Sequence, residues 1–310
     1  MEKHRIHRLL FVAVMAICAT PWIGTATALI LGIAFSLVLG NPWPQKSARL
    51  SKIILQLSVV GLGFGLSLGD VLQTGKSSIL YTIIGISCTL TLGFMLGLLF
   101  KTDKNTSALI SFGTAICGGS AIAAMAPVLK AKNEEIAVAL ATVFTLNAVA
   151  MLLFPAMGHL LQLDQSTFGT WAGLAIHDTS SVVGAASVYG AKALAIGTTV
   201  KLTRALWITP VVIGMAFIKK SEQKARVPLF IIGFILAATI RTLLPQYAGS
   251  WGELATISRQ CLVITLFLIG AGLSKEVLRS VGLRPLLQGV TLWLLVSGIT
   301  LSALIRIGIA

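Results

Sequence analysis

The sequence predicts an all-α polytopic membrane protein of about 9–11 membrane segments, with inverted repeats and two interrupted helices. Three observations predict it. Hydrophobic residues make up 56% of the chain and charged residues 11%, with a mean hydropathy of +0.92, whereas soluble domains carry about 25% charged residues. Apolar runs of roughly 20 residues recur from end to end, the length a helix needs to cross ~30 Å of hydrocarbon. The runs are continuous rather than alternating in segments of ~10, which excludes a membrane β-barrel. The same composition excludes a soluble globular enzyme, a nucleic-acid-binding domain and a disordered chain.

The apolar segments lie near residues 7–20, 22–40, 50–68, 77–100, 107–130, 134–157, 167–190, 193–218, 227–245, 253–273 and 284–305. Ile6–Thr20 reads as a short first membrane helix, with Pro21 opening the second. Thr20-Pro21-Trp22 lacks the small-residue pattern of a cleaved secretory signal. Segment 107–130 is interrupted by Gly113-Thr-Ala-Ile-Cys-Gly-Gly-Ser-Ala121, and segment 167–190 by His177-Asp-Thr-Ser-Ser-Val-Val-Gly184. Glycine and small polar residues make poor continuous helix. The loop Lys130–Glu135 is charge-balanced, so charge alone leaves open whether these two segments cross as broken helices or re-enter.

The net charge is +14, from 24 Lys and Arg against 10 Asp and Glu. The cations cluster at the N-terminus, at Lys46/Arg49/Lys52, at Lys101/Lys104, at Lys219/Lys220/Lys224/Arg226 and at Lys275/Arg279/Arg284. Short basic runs between apolar segments hold loops in the cytoplasm. They imply a multi-pass membrane protein with a cytoplasmic N-terminus, the lipid bilayer as its partner and no nucleic acid. Cys18, Cys88, Cys117 and Cys261 lie in apolar segments without pairing spacing, so neither a disulfide framework nor a metal site is implied. No cofactor is expected, and a homo-oligomer is left open.

Internal repeats organise the chain into halves near 22–157 and 167–305 of a single transporter domain, 1–310. Leu50-Ser51-Lys52…Gly63-Phe-Gly65 matches Ile257-Ser258-Arg259…Gly270-Ala-Gly272, and Gly32…Pro44 matches Gly233…Pro245. Ala115-Ile-Cys-Gly-Gly-Ser120 matches Ala175-Ile-His-Asp-Thr-Ser180, and Thr142-Val143…Asn147 matches Thr199-Val200…Arg204. Inverted repeats that each contain an interrupted helix point to a secondary transporter with its site where the interruptions meet.

Of the acidic residues, Asp178 alone falls inside an apolar segment, and Lys201 and Arg204 are the clear intramembrane cations. A charge at the centre of a membrane helix costs ~2.5–3.5 kcal/mol, so three such groups imply a function. Lys201 and Arg204 are three apart and share a helix face. They can pair with Asp178, face a wet cavity, or both; either way Asp178 neutralises at most one, and the surplus positive charge favours an anion. Gly118, Gly119 and Ser120 allow close backbone approach. Asp178, Thr179, Ser180 and Ser181 suit a helix N-cap, and helix N-termini bind oxyanions. Asn147 adds neutral hydrogen-bonding capacity. His177 or Asp178 is the candidate coupling or gating group, with H+ or Na+ as the coupling ion. The adjacent His177, Asp178 and Ser180 are not a hydrolytic triad, whose members converge from separate places, so an enzyme is not expected.

These residues resemble the YeiH-type bacterial inner-membrane proteins, a family labelled as sulfate exporters. The resemblance runs from about Gly40 to Arg306. It is carried by Asn41-Pro-Trp-Pro44, Val59-Val-Gly-Leu-Gly-Phe-Gly65, Gly113–Ala124, Ala175–Ala185 and Val200-Lys-Leu-Thr-Arg204 with Pro210. It implies a multipass transporter of about ten or eleven helical segments, distantly similar to inverted-repeat antiporters. The expectation is a secondary active exporter of a small anion, sulfate or sulfonate-like. The alternatives are a passive anion channel and a cation–proton antiporter built on Asp178.

Overall fold

The computed structural model describes residues 2–219, 229–272 and 282–307. Lys220, Lys224, Arg226, Lys275 and Arg279 of the basic runs lie outside the described residues. The helices are α1 (Glu2–Cys18), α2 (Thr25–Val38), α3 (Pro44–Gly63), α4 (Leu68–Leu99), α5 (Lys104–Ala115), α6 (Gly119–Leu129) and α7 (Asn133–Leu160). They continue as α8 (Gln165–Ala175), α9 (Thr179–Tyr189), α10 (Ala191–Leu206), α11 (Ile208–Lys219), α12 (Leu229–Leu243), α13 (Ala248–Ala271) and α14 (Leu283–Ile307). The chain is an all-α polytopic membrane protein. Leu68–Leu99, Asn133–Leu160, Ala191–Lys219, Pro245–Ala271 and Leu283–Arg306 each have the length and apolarity to cross a bilayer.

Both interruptions fall where glycine and polar residues predict them, at Ile116–Gly118 and Ile176–Asp178. Pro21 does not open the second helix. It sits in the turn between Cys18 and Gly24, and Gly24, in extended conformation, takes the N-cap of α2. The segment 193–218 is divided at Trp207. Pro210 has no N–H for the Leu206 carbonyl four residues back, so α10 ends there and α11 starts anew.

The chain forms two compact units, Met1–Leu72 with Pro228–Glu276, and Gln73–Val227 with Val277–Ala310. The first holds α1–α3, α12 and α13. Phe11 packs against Phe35 and Phe267 at ring-centroid distances of 5.3 and 5.2 Å. Glycines set the helix spacing. A Cβ on Gly32 of α2 would lie 2.2 Å from the Phe267 carbonyl oxygen of α13, and one on Gly270 of α13 would lie 2.5 Å from the Leu29 carbonyl oxygen of α2. Gly63 and Gly233 make close contacts between α3 and α12. A Cβ on Gly63 would lie 2.5 Å from the Phe234 carbonyl oxygen, and one on Gly233 would lie 2.8 Å from Val60.

The second unit holds most of α4, then α5–α11 and α14. A Cβ on Gly113 of α5 would lie 3.2 Å from Val143 of α7, and one on Gly173 of α8 would lie 2.9 Å from Val200 of α10. Gly113 and Gly173 stand at matched positions in the sequence, as do Val143 and Val200. Gln288 of α14 donates from Nε2 to the Gly93 carbonyl at 3.0 Å and to Ser107 Oγ at 2.8 Å, joining α4, α14 and α5. Trp171 stacks on Phe154 at 4.1 Å and donates Nε1–H to the Ser297 carbonyl at 3.0 Å.

Aspartates start both half-helix pairs. The carboxylate of Asp103 accepts from the Asn105 and Thr106 N–H groups of α5, at 3.1 and 3.2 Å. That of Asp164 accepts from the Ser166 and Thr167 N–H groups of α8, at 2.7 and 3.1 Å. The N–H of Thr106 holds the Asp103 carboxyl below its ordinary range, and the Thr167 hydroxyl does the same for Asp164.

Two outcomes are expected in detergent thermal-unfolding experiments. Gly32→Ala and Gly63→Ala each destabilise by ~1–3 kcal/mol through overpacking, whereas Gly214→Ala, where an added Cβ meets nothing within 4 Å, stabilises α11 by up to ~1 kcal/mol. Asp164→Ala costs ~1 kcal/mol at neutral pH through the lost cap. Because the folded-state pKa of Asp164 is depressed, its contribution is present above the ordinary aspartate range and disappears as pH falls through the folded pKa. The gap between Asp164→Ala and the unaltered protein therefore closes in acid.

Candidate functional site

The second unit brings the two helix breaks together. Gly118, the N-cap of α6, has φ +61°, a left-handed conformation that a residue with a Cβ enters at a cost. A Cβ there would lie 3.2 Å from Asp178 Cβ and 3.5 Å from Asp178 N. Asp178 is the N-cap of α9 and the repeat counterpart of Gly118. Two half-helices therefore begin in contact, each with first-turn N–H groups that no carbonyl of its own helix reaches.

The two caps differ. Asp178 caps α9 by accepting from the Ser180 N–H at 3.0 Å and from the Ser180 hydroxyl. Asn147 of α7 adds an acceptor, its Oδ1 receiving the Asp178 N–H at 3.3 Å. Gly118 brings no side chain, so α6 starts without a side-chain cap. Ser120 in the first turn of α6 is exposed, and Gly119, Asp178 and Ser180 are half-buried. Thr179 and Ser181 are buried.

The two cations serve the opposite ends. Arg204 is 1% exposed; its Nε donates to the Ala115 carbonyl at 2.6 Å and its Nη1 to the Leu174 carbonyl. Lys201 is 0% exposed, and Nζ donates to the Ile176 carbonyl at 2.6 Å. Ala115 is the last residue of α5, and Leu174–Ile176 is the end of α8. These carbonyls lack an N–H four residues on and carry the negative end of the helix dipole. The backbone itself is thus the counter-charge that lets two cations sit in a dry interior. The ion pair of Asp178 with Lys201 or Arg204, open on the sequence, is not made among the described residues: the cations donate to carbonyls and the carboxylate accepts from Ser180.

Each helix end carries about half an elementary charge. The two C-terminal ends are met by Lys201 and Arg204; of the two N-terminal ends, that of α9 is capped by Asp178 and that of α6 has no side-chain cap.

All the residues expected at the site belong to this neighbourhood. Gly118, Gly119, Ser120, His177, Asp178, Thr179, Ser180, Ser181 and Asn147 lie at the breaks or touch them, and Lys201 and Arg204 lie at the carbonyl ends. His177 is 1% exposed and neither ring nitrogen has a hydrogen-bond partner; Asn147 Nδ2 is buried and unpaired as well. No residue type marks Ala115, Leu174 and Ile176, because their contribution is a carbonyl oxygen that every residue carries.

The fold and this centre define a polytopic helical membrane protein built around two broken helices. The family described as "Conserved hypothetical protein 698" matches residues 7–289, and the chain belongs to that family, whose relatives are UPF0324 membrane proteins. The chain is 69% identical over 304 residues to a UPF0324 membrane protein of Geobacter sulfurreducens, covering 98% of each. It is 48% identical over 312 residues to one of Bdellovibrio bacteriovorus, covering 98% of this chain and 96% of that one. A Porphyromonas gingivalis relative is 52% identical over 283 residues, 90% of this chain and 86% of that one. The YeiH-type resemblance fits this membership. No solved structure matches the chain.

Arg204→Met removes the donor from two buried carbonyls and is expected to cost about 3 kcal/mol, read as a lowered unfolding temperature in detergent. Gly118→Ala is expected to cost ~1–3 kcal/mol through its positive φ. A Gly119→Ala control adds a Cβ whose nearest neighbour is the outer ring of Phe144 at 3.0 Å, and it is expected to cost less.

Proposed function

We propose that the protein is a secondary active transporter that exports a small anion, sulfate or sulfonate-like, across the bacterial inner membrane. The observation that carries this reading is the contact between Gly118 and Asp178 with both half-helix C-termini neutralised by Lys201 and Arg204. The N-terminal end of α6, which has no side-chain cap, is what remains. In the proposed complex an oxyanion accepts hydrogen bonds from the N–H groups of Gly119, Ser120 and Ala121 and from the Ser120 hydroxyl. Thr179, Ser180 and Ser181 supply the matching turn of α9. Lys201 and Arg204 hold the helix ends and supply the field without touching the ligand. Asp178 holds the Ser180 N–H at the matching turn, so its protonation or its pairing with Na+ couples transport to a second ion. His177 and Asn147, buried beside the break with unpaired nitrogens, are the groups a change of state would engage.

The contacts between repeat-matched glycines and valines support a transporter of inverted-repeat type. Gly32 with Gly270 corresponds to Gly233 with Gly63, and Gly113 with Val143 corresponds to Gly173 with Val200. Gly118 meeting its own counterpart Asp178 is the contact expected on a pseudo-two-fold axis.

The test is flux of labelled sulfate in proteoliposomes, with and without a pH or Na+ gradient. Ser120→Asp places a carboxylate in the first turn of α6, which favours the helix but occupies the anion's place. It is expected to keep the unfolding temperature and to lower flux at least about tenfold. Unchanged anion flux in Ser120→Asp and Lys201→Met contradicts the site. Saturable flux that follows neither gradient contradicts coupling and leaves a passive pathway.

A further inference from the structure

The second unit contains a cavity of about 110 Å³ that the transport reading does not use. Tyr81, Ile84, Gly85, Cys88 and Thr89 of α4 form one wall, and Ile299, Thr300, Ala303 and Leu304 of α14 form the other. Leu174 and Arg204 line it too. Ile84 is 57% exposed and Ile299 51%, and Cys88 is exposed, so the mouth opens sideways between two membrane-spanning helices. The lining residues are apolar apart from Tyr81, Thr89, Thr300 and Arg204.

Arg204 makes this more than a gap between helices. Its Nε and Nη1 are taken by the Ala115 and Leu174 carbonyls, while Nη2 is buried with no acceptor. A buried donor of a charged group without a partner is costly, and native structures rarely leave one unmatched. The carbonyl that Nη1 takes belongs to Leu174, itself part of the lining.

We infer that this cavity binds a single-chain amphiphilic oxyanion, a carboxylate or sulfonate on an unbranched alkyl chain, with its head on Arg204 Nη2 and its chain leaving between α4 and α14. The charge of the guanidinium selects an anion over a neutral tail. The apolar walls select a hydrocarbon body over a hydrated inorganic ion. The volume is below the ~150 Å³ of a protein cavity that takes benzene, so the head and the first few carbons fill it and the rest of the chain lies in the lateral mouth. A two-chained phospholipid does not fit. The inference shares Arg204 with the transport reading but does not depend on it, since the ligand would bind a protein that moved no sulfate.

The experiment is native mass spectrometry and calorimetric titration of the full chain in a nonionic detergent at pH 8, with octanoate as probe and octan-1-ol as its uncharged counterpart. One octanoate per chain is expected, octanol markedly weaker, and sulfate in excess not competing. Gly85→Phe fills the cavity from a position where an added Cβ meets nothing within 4 Å, and Ala303→Phe fills it from the other wall. Each is expected to weaken octanoate at least about tenfold, the worth of two or so lost methylene contacts, while Gly85→Phe leaves labelled-sulfate flux unchanged. Octanoate binding that equals octanol's, or that survives both fillings, overturns the inference. Displacement of octanoate by phosphatidylglycerol overturns the single-chain assignment. Loss of sulfate flux in Ser120→Asp with octanoate binding intact separates the two sites.

Discussion

Two cations donating to the carbonyl ends of two half-helices are the interaction on which the rest of the second unit depends. A helix that stops in a membrane leaves carbonyls without partners, and hydrocarbon offers none. Arg204 answers this at Ala115 and Leu174, and Lys201 at Ile176. The exchange works in both directions. The carbonyls make a buried ammonium and guanidinium tolerable, and the cations make the breaks tolerable. With the negative ends satisfied, the breaks keep their positive ends, and these meet at Gly118 and Asp178. The electrostatic character of the centre thus follows from where the backbone stops being helical.

Helix spacing and site geometry are linked through glycine. α8 reaches α10 closely enough for Lys201 to find the Ile176 carbonyl because Gly169 and Gly173 lack side chains there; Cβ atoms would lie 2.7 Å from the Ala193 carbonyl oxygen and 2.9 Å from Val200. Gly118 plays a second role, since its positive φ turns the chain from α5 into α6 without a side chain intruding on Asp178. Packing and chemistry are set by the same residue type, used for different reasons.

Much of this was readable from residue types. The apolar segments, both breaks and the residues gathered at them follow from hydropathy, from Gly118-Gly119 and from three isolated charges. Asp178 at the start of α9 follows from its fitness as an N-cap. What the residues did not reveal is the partners of the charges. Lys201 and Arg204 suggested a carboxylate or a ligand, because side-chain charges are visible in a sequence and carbonyl dipoles are not. Pro21 misled for a related reason. Proline suits the first helical turn, but Gly24 three residues later offers the extended N-cap, and the sequence alone does not rank the two. The break at Trp207 was not among the two interruptions expected, although Pro210, whose missing N–H acts four residues upstream, explains it.

Anomalous diffraction from crystals grown in selenate, recorded at the selenium edge, with a parallel set in rubidium, shows directly which ion the half-helix starts hold. A selenate peak is expected within hydrogen-bonding distance of the N–H groups of Gly119 to Ala121, near Asp178. A rubidium ion on the Asp178 carboxylate, with no selenate at either half-helix start, would contradict it.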